Sequence, residues 1–129
     1  MLIFGHPFLE SPTLYHIDNI DALSNTPSNS IVCLTYKNEN IDIINYCKKN
    51  RISFALNIEN IKELIFAENF DAKYIILNSN LAHSAQKIAE QYLFDAKILC
   101  RIISEDEIEP LAIEGIDGVL FKEAIVVIK

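Results

Sequence analysis

The sequence predicts an α/β fold: an open, mostly parallel sheet of about five βα units with helices on both faces, led by an N-terminal edge segment. Three observations predict it. Two stretches, "FDAKYIIL" from Phe70 and "FDAKILCR" from Phe94, share four letters and then run into an apolar segment. The apolar runs "SIVCLTY", "ISFALNI", "YIILN", "KILCRII" and "GVLF" begin at Ser30, Ile52, Tyr74, Lys97 and Gly118, an interval of about 22 residues that fits one strand, one helix and two tight turns. Each run is nearly continuously apolar and rich in Ile and Val, as a parallel strand covered on both faces requires.

The elements follow in order. "LIFG" and "TLYHI" each read as a strand, with a hairpin on the sheet edge as one arrangement, and "IDNIDALSN" reads as a short helix or turn. Residues 1–29 are thus an irregular N-terminal segment and 30–129 the repeated units of a single domain. "SNTPSNS" between them reads as a flexible loop.

The first two helices carry Ile41, Ile44 and Cys47, and Ile61, Leu64 and Ile65, at helical spacing. Between Asn80 and Leu93 the stripe is Leu81, Ala85, Ile88, Ala89 and Tyr92, with Gln86, Lys87 and Glu90 away from it. Asn80, and either Asn57 or Asn60, are candidate caps, and Ser104 with Glu107 has capping-box spacing. Pro110 is too deep for the first turn, so the last helix kinks or restarts there. Each "FDAK" closes a helix and launches a strand, with Asp71 and Asp95 in the turn and Asp117 of "GIDGVLF" in the matching place.

Right-handed crossovers leave two arrangements open. One is the doubly wound, Rossmann- or flavodoxin-like sheet, favoured because it buries a chain of this length. The other is a partial (β/α) barrel that never reverses and associates with itself. The phrase "GIDGVLF", with the even βα spacing, resembles the last-strand phrasing of many phosphate-binding (β/α) barrel enzymes, and no catalytic residue is carried across. Receiver domains match in length, but they need a phosphorylatable Asp ending the third strand. Here that strand ends in Asn78, or in Asn57 if "LIFG" counts as first, and only Lys122 resembles the family's lysine.

Composition narrows the function. With Lys and Arg at 11, Asp and Glu at 18 and a net charge of −7, the acidic chain repels phosphate backbones, and nucleic acid is not an expected partner. No basic leader and no apolar run of spanning length argue against a membrane and for a cytoplasmic location. Cys33, Cys47 and Cys100 are widely spaced without metal-ligand spacing, and are expected as buried reduced thiols. Neither G-x-G-x-x-G, Walker A nor G-x-S-x-G occurs, so no cofactor is expected.

Ligands of such sheets bind beyond the carboxyl ends of the strands. Lys37, Asn57, Asn78, Ser79, His83, Arg101, Ser104 and Lys122 stand there and suit a small anion. Arg101 is the most pointed, since it interrupts an apolar strand and demands a partner or a ligand. His6 and His16 have no acidic partner legible nearby. No catalytic constellation is recognisable, so the expected role is a binding or assembly module, with homo-oligomer formation as one form of it. The alternative is an enzyme or sensor for a small phosphorylated or carboxylated metabolite.

Overall fold

In the computed structural model, which covers residues 1–129, the strands are β1 (Leu2–Phe4), β2 (Leu14–His16), β3 (Ile31–Thr35), β4 (Phe54–Asn57), β5 (Tyr74–Leu77), β6 (Lys97–Arg101), β7 (Gly118–Leu120) and β8 (Ile125–Val127). The helices are α1 (Ile41–Lys49), α2 (Ile61–Asn69), α3 (Ser79–Gln91) and α4 (Ile108–Ile113). All eight strands form one sheet, in the order β1-β7-β6-β5-β4-β3-β2-β8, and every pairing is parallel.

The parallel α/β fold of repeated βα units is therefore present, with eight strands rather than five. From β2 to β7 the order advances one strand at a time, so the winding never reverses. Right-handed crossovers then place every helix on one face, and the sheet curls away from them. Of the two arrangements open to the repeats, the partial barrel forms.

Two separate cores record the curl. The outer core of 26 residues joins helix residues such as Ile44, Leu64, Ala85 and Leu111 to Leu34, Leu56, Ile75 and Ile98 on the strands. The inner core of 10 takes the alternate strand positions, among them Cys33, Ala55, Ile76, Leu99 and Leu120, and no residue of α1 to α4. Strand alternation sends successive side chains to opposite faces, so the near-continuous apolar runs serve both cores at once. The Phe4 and Tyr74 rings meet edge to face at 5.2 Å although β1 and β5 are not neighbours in the sheet, a contact across the hollow.

The two sheet edges approach each other at Gly5 and Ala124. Gly5 follows β1 at φ +87°, and a Cβ there would lie 2.8 Å from the Ala124 backbone nitrogen. A single 3-10 turn, Lys122–Ala124, carries the chain from the β7 side of this seam to β8, which pairs with β2. No hairpin forms in the first 29 residues, because β1 pairs with β7 and β2 lies between β3 and β8.

Helix ends explain the repeated phrase and correct its alignment. Arg51, Asp71 and Leu93 adopt φ of 55°, 65° and 55°, and Gly115 takes 81°. The next N–H donates back into the helix at each: Ile52 to Cys47 O, Ala72 to Ala67 O, Phe94 to Ala89 O and Ile116 to Leu111 O. This is the left-handed cap that ends helices. Asp71 occupies it, but Asp95 lies two residues past the equivalent Leu93, so the two "FDAK" phrases are out of structural register. Asp117, two residues past Gly115, shares the place of Asp95, and its carboxylate accepts the Ile98 N–H at 2.9 Å.

Three helix details also depart from expectation. Gln86 is buried, and its Oε1 accepts the Asp117 N–H at 2.8 Å, tying α3 to the start of β7. Tyr92 and Ile65, assigned to apolar stripes, are exposed. The N-cap of α3 is Asn78 rather than Asn80. Asn60 caps α2, and the Ser104–Glu107 capping box forms before α4 restarts at Ile108.

Candidate functional site

Arg101 is the last residue of β6 and follows the parity of Leu99, so it continues the inner face. Asn57 ends β4 on the parity of Ala55, and Asn78 follows β5 on that of Ile76. Curling brings these strand ends together as a polar crown above the inner core. It lies at the carboxyl ends of the strands, where barrel folds carry their ligand sites.

The guanidinium donates through Nη1 to Asn78 Oδ1 at 3.1 Å and through Nη2 to Asn57 Oδ1. No carboxylate forms an ion pair with it: the ion pairs of the chain are His6–Glu105, His16–Asp18, Lys48–Asp71 and His83–Glu114. Two of five guanidinium donors are thus used, both on neutral amide oxygens. Burial pulls the Arg101 pKa below its ordinary value. Asn57 passes the chain of contacts inward, its Nδ2 donating to Cys33 Sγ at 3.3 Å.

Holding Arg101 costs α3 its cap. Asn78 is the N-cap residue, yet its side chain makes no capping bond to the helix. The first turn of a 13-residue helix therefore opens beside the guanidinium. Both present positive potential to the same space.

That space is a cavity of about 580 Å³ lined by Asn78, Ser79, Arg101, Glu107 and Lys122 among others. Lys122 has no ion-pair partner. Glu107 is the one acid of the lining, and its Oε2 accepts the N–H groups of Ile103 at 2.7 Å and Ser104 at 2.9 Å. Those bonds hold its pKa below the usual carboxylate range.

Of the residues nominated from sequence, Asn78, Ser79, Arg101 and Lys122 line this cavity, and Asn57 joins through Arg101. The other three lie apart. Lys37 is exposed at the start of the 3-10 turn Asn38–Asn40. His83 lies on the outer surface with Nδ1 3.9 Å from Glu114. Ser104 is spent on its capping box.

Both N-terminal histidines have acidic partners that the sequence reading missed. His16 Nε2 lies 3.1 Å from Asp18 Oδ1, two residues on, a pairing visible at strand spacing. His6 contacts Glu105 across the rim, a partner 99 residues away that no local signal reveals. The His6 Nδ1 accepts the Phe8 N–H at 3.1 Å, which leaves Nε2 as donor to Glu105. With both ring nitrogens committed, His6 latches the β1 loop to the β6 loop and has no free lone pair for a substrate.

The three cysteines are buried and unpaired. Burial pushes each thiol up to about 11, so none carries thiolate character at neutral pH. No helix is long and apolar enough to cross a membrane. No protein-family model matches the chain, and no curated protein matches it.

Proposed function

We propose that the chain is a binding module for a small anion, a phosphorylated or carboxylated metabolite, held at the carboxyl mouth of the curled sheet. The observation that carries this reading is Arg101: a partly buried guanidinium, on a chain of net charge −7, that is bonded to two amide oxygens and to no acid. Removing a cation from water is costly without an opposite charge. An anion seated on its free donors supplies that charge in the strong charge-assisted geometry. Lys122 and the open first turn of α3 add to the same field.

Binding is favoured over catalysis because the cavity's one carboxylate is already engaged and no histidine lines it. Glu107 is held by two backbone N–H groups, and His6 is spent on the rim. Calorimetric titration with inorganic phosphate and with acetate tests the reading. Wild type binds at least one of them, and Arg101→Gln binds it at least about tenfold more weakly, the scale of a lost charged hydrogen bond. Equal affinity in the two proteins contradicts it.

A second reading, self-association, is favoured by Phe8 and Leu9, which are 86% and 51% exposed on the loop after β1. Sedimentation of wild type against Phe8→Ser separates the readings. A dimer lost in the variant supports assembly, and a monomer at all concentrations opposes it.

A further inference from the structure

The cavity beside Arg101 is larger and less polar than a bare anion needs. Its volume of about 580 Å³ falls within the range of pockets that enclose whole organic ligands. Beyond the cations Arg101 and Lys122, its lining includes Leu120, Ile125, Ile103 and Val127. Leu120 is 1% exposed, whereas Ile103 and Val127 are 95% and 57% exposed. Large apolar side chains left in water at the rim of a charged cavity are the informative kind of exposure.

Ile103 is also held where it stands. Its N–H donates to Glu107 Oε2, and the same carboxylate closes the capping box ahead of α4. Val127 comes from β8, whose pairing with β2 fixes it through the His16↔Val127 register. Two apolar side chains from separate segments are thus presented at one mouth by backbone bonds that do not depend on a ligand.

Resting on the anion-binding reading above, we infer that the ligand is an organic acid with an apolar body: an aryl or alkyl carboxylate or phosphate, and neither a free inorganic anion nor a sugar phosphate. The acid head meets Arg101 and Lys122, and the hydrocarbon covers Ile103, Val127 and Ile125. A sugar phosphate sets hydroxyl groups against Leu120 and Ile125, where they lose water and gain no partner. Inorganic phosphate leaves the apolar walls wet. The carboxylate and phosphate heads share the chemistry that the guanidinium recognises.

Calorimetry with four probes decides it: phenyl phosphate, phenylacetate, ribose 5-phosphate and inorganic phosphate. The aryl acid with the preferred head binds at least about tenfold tighter than ribose 5-phosphate and inorganic phosphate, the usual scale for burying a small apolar group. Ile103→Ser and Val127→Ser, both at exposed positions that the fold tolerates, each weaken that aryl acid several-fold and leave inorganic phosphate unchanged. Arg101→Gln weakens all four. Similar affinities for the aryl acids and ribose 5-phosphate, or aryl binding indifferent to both serine variants, overturn the inference about the ligand class and leave anion binding standing. If none of the four binds, or if binding survives Arg101→Gln, both readings fall together.

Discussion

The Arg101 guanidinium reaches over β5 to the side-chain oxygen of Asn57 on β4, two places away in the sheet. Neighbouring inner-face side chains lean together only because the sheet curls. A long cation therefore spans two strand ends and takes the Asn78 oxygen on the way. Its two acceptors are neutral, so under the anion-binding proposal Arg101 contributes more to binding than to stability. Arg101→Met is expected to lose anion binding while the melting temperature of the ligand-free protein shifts by less than about 4 °C, corresponding to under about 1 kcal/mol. A drop of 10 °C or more marks Arg101 as a structural residue.

The inner core tolerates little extra volume near β7. A Cβ on Gly118 would sit 2.7 Å from Leu99 Cδ2 and 2.9 Å from Leu2 Cβ. Gly118→Ala is expected to cost about 1–3 kcal/mol by overpacking. Adding Leu99→Val, which withdraws the nearest atom, should recover part of that loss. A double-mutant cycle in chemical denaturation measures the coupling, and strict additivity contradicts the packing assigned to this site.

Leu93 ends α3 in the left-handed conformation, at φ 55°, with its side chain 85% exposed. A side chain there carries backbone strain and buries little in return. Leu93→Gly is expected to stabilise the fold by about 1 kcal/mol, raising the melting temperature by a few degrees. A lower melting temperature shows that Leu93 makes contacts that outweigh the strain.

The buried thiols set an alkaline limit. Cys33, Cys47 and Cys100 are each pushed up to about 11 by burial, against about 8.5 in an unfolded chain. The folded state favours the protonated thiol, so this stabilisation is complete below about pH 8.5 and is lost as pH rises toward 11. Urea midpoints should fall across that window, and a thiol reagent at pH 8 should react only as fast as the protein opens. Rapid labelling of the folded protein rules out the burial assigned to these groups.

Much of this architecture is legible before any coordinates. The βα period, the five strands from β3 to β7, the Ser104 capping box and the oddity of Arg101 in an apolar strand all follow from spacing and polarity, whereas β8 does not. What stays hidden is the direction of curl. A strand apolar on both faces looks the same whether helices cover the second face or the sheet folds over and covers itself, and Cys33, Ala55 and Leu99 carry no mark of which neighbour they meet. Local matching also misleads at the phrase "FDAK", where Asp71 takes the left-handed cap and Leu93 takes it in the next repeat. Gln86 escapes notice because its partner, the Asp117 N–H, is 31 residues away. Lys37, His83 and Ser104 end strands or begin helices as a site residue does, but each points elsewhere.

The most direct test of Arg101 as an anion seat is an amide chemical-shift titration with inorganic phosphate and phenyl phosphate. The expected result is saturable movement confined to Ser79, Asn80, Arg101 to Ser104 and Lys122, abolished in Arg101→Gln. Saturable shifts centred on another part of the molecule, or the same shifts persisting in Arg101→Gln, contradict it.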